Sequence, residues 1–246
     1  MDDILEVLGR AAAVRQDPIL RAERLNKVYW LGTAVYAVDN VDLEVQQGEY
    51  VLIRGPSGSG KSTLLSLLAG LDRPTSGDVI LDGQRLAVLS ENELAAIRRQ
   101  KVGMIYQFFN LVPNLTALEN VALPLRLSGA PEWFAMRHAR HLLERVGLAQ
   151  RADHLPGQMS GGEQQRVAIA RALANEPKVL MGDEPSANLD SRTTRDIRAL
   201  IVELNRDLGQ TCVIVSHDPS FIEDAHRVVT LVDGRIAGEE PGGAVH

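Results

Sequence analysis

Eight consecutive residues, Gly55-Pro56-Ser57-Gly58-Ser59-Gly60-Lys61-Ser62, carry the clearest chemistry in the chain. The spacing G-x-x-x-x-G-K-[ST] lets the backbone wrap an anion with its N–H groups turned inward, and a helix starting there adds its positive end. A lysine so placed reaches the β- and γ-phosphates of a nucleotide, and the following hydroxyl can ligate Mg²⁺. Gly55, Ser57, Gly58, Ser59, Gly60, Lys61, Ser62 and Thr63 are therefore the expected nucleotide contacts. The setting agrees: an apolar run, Tyr50 to Arg54, precedes the loop, and a helical run, Ser62 to Ala69, comes after it.

Two further segments fit a phosphate-handling site. Val179-Leu180-Met181-Gly182-Asp183-Glu184 reads as a strand ending in acid. Beside a phosphate loop, Asp183 can support Mg²⁺, and Glu184 can orient the attacking water or accept its proton. Without the loop, the same residues would be a solvated acidic turn before Pro185. Met159-Ser160-Gly161-Gly162-Glu163-Gln164-Gln165-Arg166 places a serine and two glycines at a helix start. That makes a second anion-facing N-terminus, or more plainly a serine cap on a helix continuing through Val167 to Ala170.

These residues need a scaffold, and composition bounds it. The chain has 246 residues, is 45% hydrophobic but only 4% aromatic, and carries a net charge of −6. It suits one large domain, or one with a smaller inserted lobe, with an aliphatic core. The acidic balance argues against a broad nucleic-acid face. No apolar run approaches the ~18–20 residues of a membrane span, and Met1-Asp2-Asp3 is the wrong charge for a secretory leader. A single Cys212 leaves no internal disulfide and no cysteine metal cluster. No cysteine cluster accompanies the histidines, so no structural metal is expected. A soluble cytoplasmic chain is the expectation.

The periodicity predicts an amphipathic helix over residues 1–18, using Ile4, Leu5, Leu8, Ala11, Ala12 and Val14 and stopped by Pro18. Strands are expected at Leu20–Val28, Val41–Val45, Val79–Leu81, Val102–Tyr106, Val179–Met181, Cys212–Val215 and Val228–Val232, the last closing at the Asp233-Gly234 turn. Helices are expected after Ser90, which has Glu93 three residues on, and at Thr116–Leu125, Pro131–Val146, Gly162–Ala174 and Ser191–Leu208. Asp218 before Pro219 reads as a cap, not a catalytic acid. The unbroken apolar strands predict a central sheet covered on both faces.

Taken together, the three segments resemble the nucleotide-binding subunit of ATP-binding-cassette (ABC) transporters over about residues 20–235. The signature usually reads Leu-Ser-Gly-Gly-Gln; here it reads Met159-Ser160-Gly161-Gly162-Glu163, and Glu163 adds a charge near a phosphate site. The resemblance implies an α/β P-loop NTPase (RecA-like) core with an N-terminal antiparallel β subdomain and an inserted α-helical subdomain. The corresponding boundaries are a core at about 19–88 and 160–246 and a helical subdomain at about 89–159, within an ATPase domain over 19–246. It implies ATP and Mg²⁺, with Tyr29 stacking on adenine, Gln107 touching Mg²⁺ and water, Ser62 and Asp183 on the metal, Glu184 on the water and His217 on the γ-phosphate. It also implies a second ATP-binding subunit, a homodimer, in which Ser160 and Gly162 close on the other chain's ATP and Ser186 to Asp190 cross the interface.

The family further implies an integral membrane permease subunit that meets the helical subdomain near Phe108 to Val112. That places the chain on the inner face of the cell membrane through its partner. By residue type alone, Phe108 and Phe109 suit either a core or an exposed socket, or one of each. Leu71 to Gly77, Phe108 to Leu111 and Asp183 to Asp190 look like the branch of lipoprotein-release, macrolide-export and cell-division ATPases, although Ser186-Ala187 stands where that branch has Thr-Gly. The expected function is ATP hydrolysis coupled to movement of a separate membrane subunit. The alternative is a soluble ABC ATPase acting on DNA or ribosomes, against which stand the single cassette, the missing heptads and the net charge.

Overall fold

The computed structural model describes residues 17–30 and 32–244. The helix expected over residues 1–18 lies, but for Asp17 and Pro18, outside them. Four strands, β1 (Leu20–Trp30), β2 (Ala34–Val45), β4 (Ser76–Leu81) and β5 (Gln84–Arg85), form an antiparallel sheet in the order β2-β1-β4-β5. A second sheet contains β3 (Tyr50–Arg54), β6 (Val102–Ile105), β7 (Val179–Asp183), β8 (Thr211–Val215), β9 (Arg227–Val232) and β10 (Arg235–Pro241). Its order is β10-β9-β3-β8-β7-β6, parallel throughout except for β10. The helices are α1 (Lys61–Leu68), α2 (Glu91–Lys101), α3 (Ala117–Leu127), α4 (Glu132–Arg145), α5 (Gly161–Leu173) and α6 (Ser191–Leu208). The expected mixed α/β class and antiparallel first subdomain are both present.

The parallel strands read as unbroken apolar runs because each face is covered. On β3, Tyr50 and Leu52 join one core with Ile105, Leu180, Cys212, Ile214 and the inward faces of α3 to α6. Val51 and Ile53 turn the other way, into a core with α1, Met181, Val213, Val229 and the antiparallel sheet. In α4 the buried set Ala135, Ala139, Leu142 and Leu143 follows the i, i+4, i+7, i+8 stripe of a helix with one wet face.

Helix starts are legible in the sequence because side chains satisfy the first free N–H groups there. Ser90 with Glu93 and Thr116 with Glu119 form reciprocal capping boxes. Asp218 caps through Ser220 N–H at 2.9 Å, although the element it caps is the 3-10 turn Pro219–Glu223 rather than an α-helix. Several strands exceed expectation: β2 begins at Ala34 rather than Val41, β4 at Ser76 rather than Val79, and β5 is an addition. β1 runs on to Trp30 because Tyr29 pairs with Val35 and Trp30 with Ala34 across a hairpin. β10 is an addition: it is a largely exposed edge strand, so its sequence shows no apolar alternation.

The segment between β6 and α3 is pinned by one fully buried side chain, Asn120. Its Oδ1 accepts from Val112 N–H at 2.8 Å, and its amide donates to the carbonyls of Val112, Leu115 and Thr116. A loop without a ladder of its own is thereby satisfied from a neighbouring helix.

Candidate nucleotide site

Because β3, β7 and β8 are parallel, the residues just after their C-terminal ends converge at one edge of the sheet. The loop Gly55 to Gly60 comes after β3, Glu184 after β7, and Ser216 and His217 after β8. The turn is tight enough to demand glycine at two positions. Gly60 caps α1 at φ 98°, where a Cβ would overlap the Ala37 carbonyl oxygen. Gly55, at φ 154°, lies under the Leu231 carbonyl. α1 has no side-chain cap, so its free N–H end faces into the loop.

Lys61, mostly buried, folds its ammonium back onto the carbonyls of Gly55 and Pro56, both at 2.9 Å. Ser59 Oγ is buried inside the loop with no hydrogen-bond partner. A buried unpartnered hydroxyl beside a lysine and an uncapped helix start fits a polyphosphate. Ser62 Oγ donates to Asp183 Oδ1 at 2.8 Å, which brings together the two oxygen groups expected on Mg²⁺. Burial, and then the charge of Glu184, raises the Asp183 carboxyl above its ordinary range, while Ser62 and Lys61 pull it partly back. A divalent cation would relieve that tension.

Glu184 is held at φ 48°, uncommon for a residue with a Cβ, by its N–H bond to the Val215 carbonyl at 2.9 Å. Its Oε2 accepts from His217 Nδ1 at 2.9 Å and from His217 N–H at 3.3 Å. A carboxylate beside an exposed imidazole, next to the Asp183–Ser62 pair, is an arrangement that can hold and direct a water.

Tyr29, Gln107, Ser160 and Gly162 make up the rest of the expected set. Tyr29 Oη donates to Asp72 Oδ2 at 2.9 Å, with the Lys27 ammonium 5.1 Å from its ring centroid. Gln107 is half-buried just beyond β6, and its carbonyl accepts from Asn188 Nδ2 at 3.1 Å. Ser160 caps α5 in a third capping box with Glu163. Gly162 packs against Thr193 at the start of α6. Ser160 bonds with Glu163 and Gly162 meets Thr193, and none of these contacts is with the loop at Gly55–Ser62. Phe109 is half-buried with its ring edge near Gly161, whereas Phe108 is 68% exposed, so the two aromatics differ in exposure.

Sequence reasoning misses two linking side chains. Fully buried Gln165 donates to the Pro185 carbonyl at 2.6 Å and the Tyr106 carbonyl at 3.4 Å, tying α5 to the ends of β7 and β6. Arg171 donates to the carbonyls of Phe109, at 2.9 Å, and Asn110. A polar residue on the buried stripe of a helix is the signal available for Gln165. A hollow of about 840 Å³ opens beside Gln46 to Glu49 at the opposite end of β3, and its lining contains none of the expected site residues.

Comparison with known proteins decides the family. The model of the ABC transporter family matches residues 38–187. The chain belongs to the ABC transporter family. It is 50% identical over 222 residues to lipoprotein-releasing system ATP-binding protein LolD 1 of Chlorobium chlorochromatii, covering 89% of this chain and 90% of that relative. It is 46% identical over 228 residues to the macrolide export ATP-binding/permease protein MacB 1/2 of Paracoccus denitrificans, covering 92% of this chain but 34% of that longer relative. The dimeric post-hydrolysis structure of the ATP-binding cassette MJ0796, bound to ADP and Pi, superposes with a TM-score of 0.85 at 42% identity, covering 92% of this chain and all of that one. The likeness places this ABC protein in the lipoprotein-release and macrolide-export branch, as an ATP-hydrolysing subunit of a transporter-type complex rather than a soluble DNA or ribosome ATPase.

Proposed function

We propose that two copies of this chain sandwich two Mg-ATP head to tail and drive a separate membrane permease subunit. Lys61, the loop amides and Thr63 hold the phosphates, and Tyr29 supports the adenine. Ser62, Asp183 and Gln107 hold Mg²⁺, which would neutralise phosphate charge. Ser160 and Gly162 of the second copy complete each site. Glu184 directs the water at the γ-phosphate, while His217 fixes the Glu184 carboxylate and contacts the phosphate. Positioning and charge stabilisation supply most of the rate.

Closure with ATP and opening after hydrolysis would move the α3–α4 lobe, and with it the permease segment seated near Phe108 to Val112. Among the described residues, no helix is long and apolar enough to cross a membrane. On this reading the permease is a separate subunit and this chain is held at the inner membrane face through it. The relative named as a lipoprotein-releasing system ATP-binding protein, matched over 90% of its length, supports a separate permease; the macrolide-export relative is named for both parts and is much longer than the matched region.

The observation carrying this reading is the Glu184–His217 contact beside the Ser62–Asp183 pair at one sheet edge. Glu184→Gln tests it. ATP turnover should fall by about 10²–10⁴-fold, while an ATP-dependent dimer accumulates in sedimentation. Hydrolysis near the wild-type rate in that variant would overturn the role of Glu184.

A further inference from the structure

The start of α5 presents one positive helix end to two anions. One is its own Glu163, third residue of the helix; the other, on the sandwich reading, is the γ-phosphate held by the second copy. Glu163 Oε2 accepts from Ser160 N–H at 2.8 Å, and Ser160 Oγ accepts from Glu163 N–H at 3.3 Å. The Ser160 N–H foremost, with the Ser160 hydroxyl and then Arg151, holds the Glu163 carboxyl below its ordinary range against a partial burial that raises it. Uncompensated, a full negative charge there opposes the incoming nucleotide.

The compensation comes from outside the helix. Arg151 closes the 3-10 turn Ala149–Arg151, between α4 and α5, and its Nε donates to Glu163 Oε1 at 3.0 Å. Its Nη1 lies 3.1 Å from His154 Nε2, which holds the other side of the guanidinium. The side chains are 47% and 18% exposed, so the pair contributes little to the fold as a surface ion pair.

We infer that Arg151 is a positioning residue that neutralises Glu163, keeping the start of α5 open to the phosphate of a nucleotide bound by a second copy of this chain. The inference rests on the head-to-tail reading above. It makes a cross-prediction a structural role would not. Glutamine at 163 keeps the capping oxygen without the charge, so Arg151 should become dispensable once Glu163 is gone.

The test is ATP-driven dimerisation of the full chain in the Glu184→Gln background, read by sedimentation across an ATP titration. Arg151→Ala should raise the half-saturating ATP on the order of 10-fold, and Arg151→Lys by less. Adding Glu163→Gln to Arg151→Ala should return it to within about 2-fold of the parent. Raising salt should shrink the Arg151→Ala deficit, since the Debye length falls to about 3 Å at 1 M. An Arg151→Ala protein that dimerises like its parent, or a deficit that Glu163→Gln leaves untouched, overturns the inference. If the Glu184→Gln parent itself fails to dimerise with ATP, the sandwich reading falls and the inference falls with it.

Discussion

Replacing Gly162 with alanine should destabilise the folded chain, and one methyl group on a neighbouring helix should decide by how much. A Cβ at Gly162 overlaps Thr193 Cγ2, while Thr193 Cβ and Oγ1 each stand at an ordinary 3.6 Å. Thr193 cannot simply turn away, because its Oγ1 donates to Asp190 Oδ2 at 2.6 Å and its N–H to Asp190 Oδ1 at 3.0 Å. Alanine gains at most about 1 kcal/mol in helix propensity over glycine, whereas overpacking costs about 1–3 kcal/mol. The overlap wins, and at about 2–4 °C per kcal/mol for a chain of this size Tm should drop by several degrees. Thr193→Ser keeps the hydroxyl and deletes the clashing methyl, at about 0.8 kcal/mol on its own. The Gly162→Ala, Thr193→Ser double variant should therefore melt above Gly162→Ala alone. Thermal denaturation of the four proteins without nucleotide is the assay. A double variant whose loss is the sum of the single losses would refute the packing argument.

Two more outcomes concern the titratable groups. Asp183 has its folded pKa raised, so its ionisation costs stability as pH rises through that value. Asp183→Asn should raise the nucleotide-free Tm near about pH 7, with the gain vanishing as pH falls below the ordinary carboxylate range near ~4. The same variant should gain less from Mg-ATP than the parent; a flat Tm difference across pH would contradict the account. Cys212 is fully buried, and burial pushes its thiol well up. A thiol reagent should leave it unmodified in the native chain and label it stoichiometrically in denaturant, and rapid native labelling would mean β8 is not sealed.

Local signals are legible in proportion to how local their causes are. The phosphate loop, the capping serine and threonine and the acid-ended strand β7 each fix their own backbone, so their residue types suffice. The doubly covered sheet is legible because β3, β7 and β8 have no polar face to show. Edge strand β10 fails the same reading, since its side chains meet water on both sides. Contacts between distant segments leave no trace in spacing. Gln165 reaching Pro185 and Arg171 reaching Phe109 both depend on where the chain returns, not on what flanks them. The 3-10 turn after Asp218 shows a related limit: the cap and proline are right, yet five residues cannot sustain an α-helix.

Helix α5 carries Ser160 at one end and Arg171 near the other, thirteen helical residues spanning about 20 Å. Its first turn is the surface proposed to grip a neighbour's nucleotide, and its last turn grasps the backbone of Phe109 and Asn110. A stiff rod fastened at both ends transmits displacement without loss along its length. Tilting its head by a few degrees obliges the loop at its foot to travel too, with Gln165 at the middle as the fulcrum tied to β6 and β7. On the proposed sandwich, such a rod would let the sheet stay still while the lobe moved, separating the part that must remain rigid for chemistry from the part that would do work.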